Sequence, residues 1–193
     1  MMSQGVGRST SKVYQFSENH GSGQHGDADY RFCPVCGYHL RTQVIKSSEP
    51  ERLVCERCGF IFYLDPKVAV GTLGTLDGKI ILLRRGIEPA YGRWVFPGGY
   101  VNRGETLTEA GIRETREEVS LDVKIDGLLN VYSYPGRPVI LIAYAVTVIG
   151  GKLGAGDEAI EARTFAPAEI SWADLASQVP EMHSWSTLRN VFT

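Results

Sequence analysis

The chain has 193 residues, 43% of them hydrophobic, with a formal charge of -2 and a pI near 6.1, enough for one substantial core and one small appended module. That balance gives no broad positive field for non-specific binding to nucleic acid or an anionic membrane, so a polyanionic ligand must be gripped locally. Because no apolar run is long enough to span a bilayer and Met1 to Lys12 lacks the apolar core of a signal peptide, the reading is a cytoplasmic protein without membrane contact.

Residues 1-30 are rich in Ser, Gly, Gln and His without periodicity and read as a flexible tail, in which His20 and His25 are solvated rather than ligating. Residues 31-64 are organised by cysteines, and residues 65-193 have the pattern of a larger α/β domain, with the seam near Asp65-Pro66. Val68 to Leu76 and Lys79 to Arg84 read as strands of a hairpin around Asp77-Gly78. After Pro97-Gly98-Gly99, the capping-box spacing of Thr106 and Glu109 opens a helix with an apolar stripe of Leu107, Ala110, Ile112 and Val119. Leu128 to Tyr134 and Val139 to Ile149 read as strands separated by Pro135-Gly136, the second of them buried, and a further strand is expected near Ala162 to Phe165. Short helices are expected at Trp172 to Ala176 and Ser184 to Val191.

Cys33-Pro-Val-Cys36 and Cys55-Glu-Arg-Cys58 form two C-x2-C knuckles, each followed by glycine (Gly37, Gly59). Two residues between thiolates let both sulfurs reach one tetrahedral ion, and the glycine relieves the turn around them. The alternatives are disulfides, which a reducing cytosol disfavours, and a thioredoxin-like redox pair, which needs only one such motif beside a βαβ unit. A Cys33, Cys36, Cys55, Cys58 quartet with no open position is a structural Zn²⁺ site that folds a ribbon too small to hold a core alone.

The segment Gly99 to Leu121 carries the second signal. On a helix Glu114, Glu117 and Glu118 share a face, and three adjacent carboxylates repel unless a positive charge sits among them. The bland alternative is a solvated charged face. Against it stand the preceding glycines, which let backbone approach a ligand, and Arg113, spaced to pair with Glu105 and hold the loop to the helix. Carboxylate oxygens in this number suit Mg²⁺ or Mn²⁺ better than zinc, which points to phosphate chemistry.

Gly99, Glu105, Arg113, Glu114, Glu117, Glu118 and Leu121 fall in the register of the Nudix box, and the segment resembles it. Two positions depart from it: Thr115 where an apolar residue is usual, and Ser120 where glycine is usual, which puts the left-handed helix end in question. The cysteine ribbon, Tyr63-Leu-Asp-Pro66, Leu83-Arg-Arg85 and Gly92-Arg-Trp94 extend the resemblance to the zinc-ribbon Nudix subgroup, which includes NADH pyrophosphatases and FAD or ADP-ribose pyrophosphatases. The NADH enzymes carry Ser-Gln-Pro-Trp-Pro-Phe-Pro after the box; here that region reads Val131-Tyr-Ser-Tyr-Pro-Gly-Arg137, which favours the FAD or ADP-ribose type.

The resemblance implies an α/β/α sandwich around a mixed sheet, preceded by a small zinc-ribbon β module, and hydrolysis of the diphosphate bond of a nucleoside diphosphate linked to another moiety, releasing AMP and a phosphomonoester. It implies Mg²⁺ on Glu114, Glu117, Glu118, the Gly98 carbonyl and a later glutamate, for which Glu158 is the better match, and it leaves the general base open among Glu117, Glu118 and Glu158. Arg84, Arg85 and Arg93, with Gly98 and Gly99, are candidates for the substrate phosphates; Tyr91, Trp94, Tyr132 and Tyr134 are candidates for stacking a base, with core packing the alternative. Rival readings are an NADH or NAD-cap pyrophosphatase, a housecleaning enzyme for damaged triphosphates, and a non-enzymatic ligand sensor; capped RNA is the one nucleic-acid partner considered, and relatives of this kind are often homodimers.

Overall fold

The computed structural model describes residues 30–171 and 174–176 and divides into two units, residues 1–63 and 64–193. The expected tail and the helix at Ser184 to Val191 lie outside the described residues, as does part of the expected helix at Trp172 to Ala176. No described helix is long and apolar enough to cross a membrane.

In the first unit β1 (Leu40–Gln43), β2 (Arg52–Cys55) and β3 (Ile61–Phe62) form an antiparallel sheet in that order. Its core is only Cys33, Leu40, Leu53 and Cys55, with Cys36, Phe60 and Phe62 against them. Half of those buried residues are cysteines, so apolar burial alone supplies little and the thiolate cluster must hold the fold.

The second unit is a mixed seven-stranded sheet. Its main order is β10 (Ala159–Phe165), β5 (Lys79–Arg85), β4 (Lys67–Leu76), β9 (Val139–Gly151), β8 (Leu121–Ser133), while β6 (Trp94–Val95) pairs with β5 and β7 (Gly98–Tyr100) with β4. Among the described strands only the β4–β9 pairing is parallel. The β4–β5 turn has positive φ at both Asp77 (52°) and Gly78 (73°), the combination that matches the twist of the flanking strands.

One helix, α1 (Leu107–Val119), packs on the sheet face formed by Val70, Ile81, Leu83, Val123, Ile142, Tyr144 and Val146, burying Ala110 and Val119 there. The capping box at its start is present: the Thr106 hydroxyl accepts from the Glu109 N–H at 3.2 Å, and the Glu109 carboxylate accepts from the Thr106 N–H at 2.8 Å. Its buried face differs from the expected stripe, because Leu107 and Ile112 are exposed whereas Ala110, Gly111, Thr115 and Val119 are buried. The helix lies so close to β4 that a Cβ on Gly111 would sit 3.3 Å from the Thr72 methyl, so the contact selects small residues. Thr115 is compatible with this core because its hydroxyl meets that of Thr72 at 2.7 Å and donates to the Gly111 carbonyl at 2.7 Å. Ser120 takes the left-handed conformation (φ 58°) that a glycine would favour, and its N–H donates to the Arg116 carbonyl.

Two strand readings are corrected. β8 begins at Leu121 rather than Leu128, and its alternating Leu121, Val123 and Ile125 were a readable signal. β9 is buried only in its middle, and Ile149 is 67% exposed, since β4 pairs with it no further than Thr147.

Candidate active site

Two structural elements bring the box residues together: α1 and the short strand β7, whose Gly99 and Gly98 lie opposite Val70 and Gly71 of β4. A Cβ on Gly99 would stand about 2.5 Å from the Glu114 carboxyl, and one on Gly98 would overlap the Val70 carbonyl. Both positions exclude a side chain because backbone and carboxylate share the space, which is how the glycines set the helix against the strand.

Arg113 organises the acidic side chains. Its Nε and Nη2 grip both oxygens of Glu105 at 2.7 and 2.9 Å, Nη1 reaches Glu114 at 2.7 Å and Glu117 at 3.0 Å, and Nη2 also donates to the Tyr100 carbonyl at 3.1 Å. One guanidinium therefore ties the loop, β7 and the helix together, a fork geometry that lysine cannot reproduce. The Arg113 hydrogen bonds, and then the Asn102 N–H, hold the Glu105 carboxyl down at about 2.

Glu118 lies on the other side of this clamp, accepting from the Gly98 N–H at 2.7 Å. Burial pushes its carboxyl up to about 7, and the charges of Glu114 and Glu158 push the same way against the Gly98 hydrogen bond and Arg85. Burial raises Glu114 too, despite Arg113, with Glu117 and Glu105 adding repulsion. Glu118 makes no ion pair among the described residues, whereas Glu114 shares the one Arg113 guanidinium with Glu105 and Glu117.

Glu158 reaches this neighbourhood through a strap that sequence reasoning passed over. The N–H groups of Lys152, Gly154 and Gly156 donate to the carbonyls of Ser120, Val119 and Glu118 in turn, capping the C-terminal end of α1. A Cβ on Gly156 would overlap the Glu117 carbonyl. The Glu158 carbonyl then accepts from the Gly86 N–H at 2.8 Å, fixing the strap to the end of β5. The spacing of Gly151, Gly154 and Gly156 was the available signal.

The three candidate phosphate-binding arginines do not act together. Alternation along β5 places Arg85 on the α1 side, where its charge acts on Glu118, and Arg84 on the opposite side, where with Arg93 it lines a separate cleft. Tyr91 and Trp94 line that cleft as well, while Tyr132 is buried and packs with Leu73 and Ala143.

The sulfurs of Cys33, Cys36, Cys55 and Cys58 all lie within 4.8 Å of one another, and among the described residues no other group of three or more His, Cys, Asp or Glu converges so closely. The Cys33–Cys58 and Cys36–Cys55 sulfurs are 3.7 and 3.4 Å apart, too far for a disulfide and near the edge of about 3.8 Å for a tetrahedron of sulfurs around zinc. The Val35, Arg57 and Cys58 N–H groups point at the Cys33 and Cys55 sulfurs, and Gly37 and Gly59 turn the chain with φ of 71° and 72°. The two knuckles thus share one conformation.

An acidic helix clamped to a glycine strand, in a chain that also carries a four-cysteine ribbon, is an arrangement suited to holding a divalent cation in one unit and zinc in the other. The chain belongs to the Nudix hydrolase family, for the model of the NUDIX domain matches residues 65–186 and the zinc-ribbon model described as Nudix N-terminal matches residues 31–64. It is 47% identical over 107 residues to an ADP-ribose pyrophosphatase of Methanocaldococcus jannaschii, across 53% of this chain and 63% of that protein. It is also 29% identical over 147 residues to the NAD-capped RNA hydrolase NudC of Chromobacterium violaceum, across 76% of this chain and 51% of that one. The chain thus spans less than two thirds of the length of these curated relatives. A NUDIX hydrolase structure from Nitrosomonas europaea superimposes with a TM-score of 0.77 at 31% identity, covering 84% of this chain and 90% of that one.

Proposed function

We propose that the chain hydrolyses the diphosphate bond of ADP-ribose or a closely related nucleoside diphosphate conjugate in a Mg²⁺- or Mn²⁺-dependent reaction, releasing AMP and a phosphomonoester. The observation that carries the reading is the pair of partly buried carboxylates Glu114 and Glu118, crowded by neighbouring carboxylates against the Gly98-Gly99 backbone. Oxygen donors in that number are what a hard divalent cation takes, so Glu114, Glu117, Glu118 and the Gly98 carbonyl would hold the cation, with Glu158 at their side. When bound, the cation supplies Lewis acidity that neutralises charge on the diphosphate and acidifies water. Zinc would be held by the four cysteines as a closed structural site.

The protein's own groups divide the remaining work. Arg113 keeps Glu105, Glu114 and Glu117 in place and so fixes the ligand face. Arg85, on the same side as Glu118, presents a guanidinium to the substrate phosphates. The proton of the attacking water goes to one of the carboxylates around the cation, Glu117, Glu118 or Glu158. ADP-ribose is favoured by the 47% identity to the archaeal pyrophosphatase. The test is to incubate the protein with Mg²⁺ and ADP-ribose, FAD, NADH, NAD-capped RNA and nucleoside triphosphates, separating products by chromatography. AMP and ribose 5-phosphate from ADP-ribose at the highest kcat/KM supports the reading, whereas inorganic diphosphate from triphosphates, or no turnover of any substrate, contradicts it.

A further inference from the structure

Among the described residues, the layer between α1 and β4 is apolar apart from two side chains, Thr72 and Thr115, each 1% exposed. Their hydroxyl oxygens stand 2.7 Å apart. The Thr115 proton goes to the Gly111 carbonyl at 2.7 Å, so the bond between the two hydroxyls is donated by Thr72. The Pro97 carbonyl, 3.4 Å from the Thr72 hydroxyl, takes the Thr72 N–H at 2.8 Å instead. Both hydroxyl protons are therefore used, and enclosure keeps both side chains from touching a substrate.

The bonds from Thr72 close a ring that passes through the carboxylate site. Its N–H holds the carbonyl end of the Pro97–Gly98 peptide, and the N–H end of that same peptide donates to Glu118 at 2.7 Å. Glu118 lies one turn beyond Thr115 on α1, and Thr115 returns to Thr72 through the hydroxyl bond. One strand residue thus grips both the backbone that faces Glu118 and the helix that carries it. The hydroxyl bond also fixes how near the helix comes. Two oxygens at 2.7 Å make an ordinary hydrogen bond. Two methyl carbons need about 3.5–4.0 Å, so an apolar pair at these positions would hold α1 away from β4 by about 1 Å. The missing Cβ of Gly111, which would stand 3.3 Å from the Thr72 methyl, permits the same close approach.

We propose that Thr72 and Thr115 are positioning residues: their hydroxyl pair sets the spacing of α1 from β4 and so holds Glu118 against the Gly98 N–H. A displacement of about 1 Å at a reacting centre costs up to about 10² in rate. That effect on rate rests on the hydrolysis proposed above, whereas the effect on the Gly98 N–H does not.

The experiment compares Thr72→Val, Thr115→Val, the double variant and Thr115→Ser with the wild type, all as the full zinc-loaded chain. Two quantities are read: AMP release from ADP-ribose with Mg²⁺, and amide hydrogen exchange of Gly98 without Mg²⁺, referred to the amides of β9 inside the sheet. Each single valine variant should lower kcat about tenfold with KM little changed, and the double variant about 10². Gly98 exchange should quicken relative to β9 in the same order. Thr115→Ser, which keeps the hydroxyl, should retain both kcat and the slow Gly98 exchange. A pair that only stabilised the core would give the opposite ranking, because removing both hydroxyls leaves no polar group unpaired and makes the double variant the mildest. That opposite ranking, unchanged kcat and Gly98 exchange in the valine variants, or equal losses in Thr115→Ser would overturn the proposal. Should the double variant fail to fold, the single variants against Thr115→Ser decide. Should the wild type release no AMP, the reaction proposed above falls, and the ranking of Gly98 exchange alone decides on the pair.

Discussion

The molecule holds two groups of anionic donors, and they are built in opposite ways. In the ribbon, four sulfurs already surround one point, oriented by backbone N–H groups in two knuckles of one conformation. In the Nudix domain the carboxylates are spread around Arg113 and along the Gly98 edge, each held by a protein partner, with burial and neighbouring carboxylates raising Glu114 and Glu118. A site that only stabilises is closed before its ion arrives. A site that is to admit the cation and diphosphate proposed above stays open, with its carboxylates kept apart by hydrogen bonds to the protein.

The comparison can be broken most forcefully at the ribbon. Cys36→Ser should reduce zinc content from one ion per chain to none and eliminate the ribbon's folding transition, since zinc binding in small modules is worth about 10–16 kcal/mol; metal analysis with calorimetry checks this, and a separate Nudix-domain transition should survive. At the open site, Glu118→Gln should lower kcat by about 10² to 10⁴ while zinc content is unchanged. Arg113→Lys, which keeps the charge but loses the fork around Glu105, should lower kcat/KM by about tenfold or more.

The smallest effect is on stability and follows from Glu118. Its carboxyl is raised to about 7 in the fold, above its unfolded value, so its contribution is fully present below the unfolded value and is lost as pH rises through about 7. Zinc-loaded protein without added magnesium should therefore melt at lower temperature at pH 8 than at pH 5.5. Glu118→Gln should flatten that part of the profile, and added Mg²⁺ should restore the wild-type melting temperature at pH 8; identical slopes in both proteins would remove Glu118 as the source.

Much of this was legible in the sequence because it is local. Cysteine spacing, the Asp77-Gly78 turn, the Thr106–Glu109 cap and the Arg113–Glu105 pairing are each specified within a few residues. What escaped depends on the approach of distant segments. The buried face of α1 is set by how closely Gly111 and Thr115 meet Thr72, a separation of 43 positions between the two threonines. The strap from Lys152 to Glu158 looks like an ordinary glycine loop until its N–H groups are seen on the last carbonyls of the helix. Arg84 and Arg85 looked equivalent, yet a one-residue step along a strand puts them on opposite faces.

The central claim is that an open carboxylate site centred on Glu118 performs the hydrolysis while the ribbon only stabilises. AMP release from ADP-ribose, measured with and without Mg²⁺ for the wild type and Glu118→Gln at equal zinc content, tests it most directly. Mg²⁺-dependent release by the wild type and its near-complete loss in the variant are expected; release that persists in Glu118→Gln, or that proceeds without Mg²⁺ on zinc alone, would contradict the account.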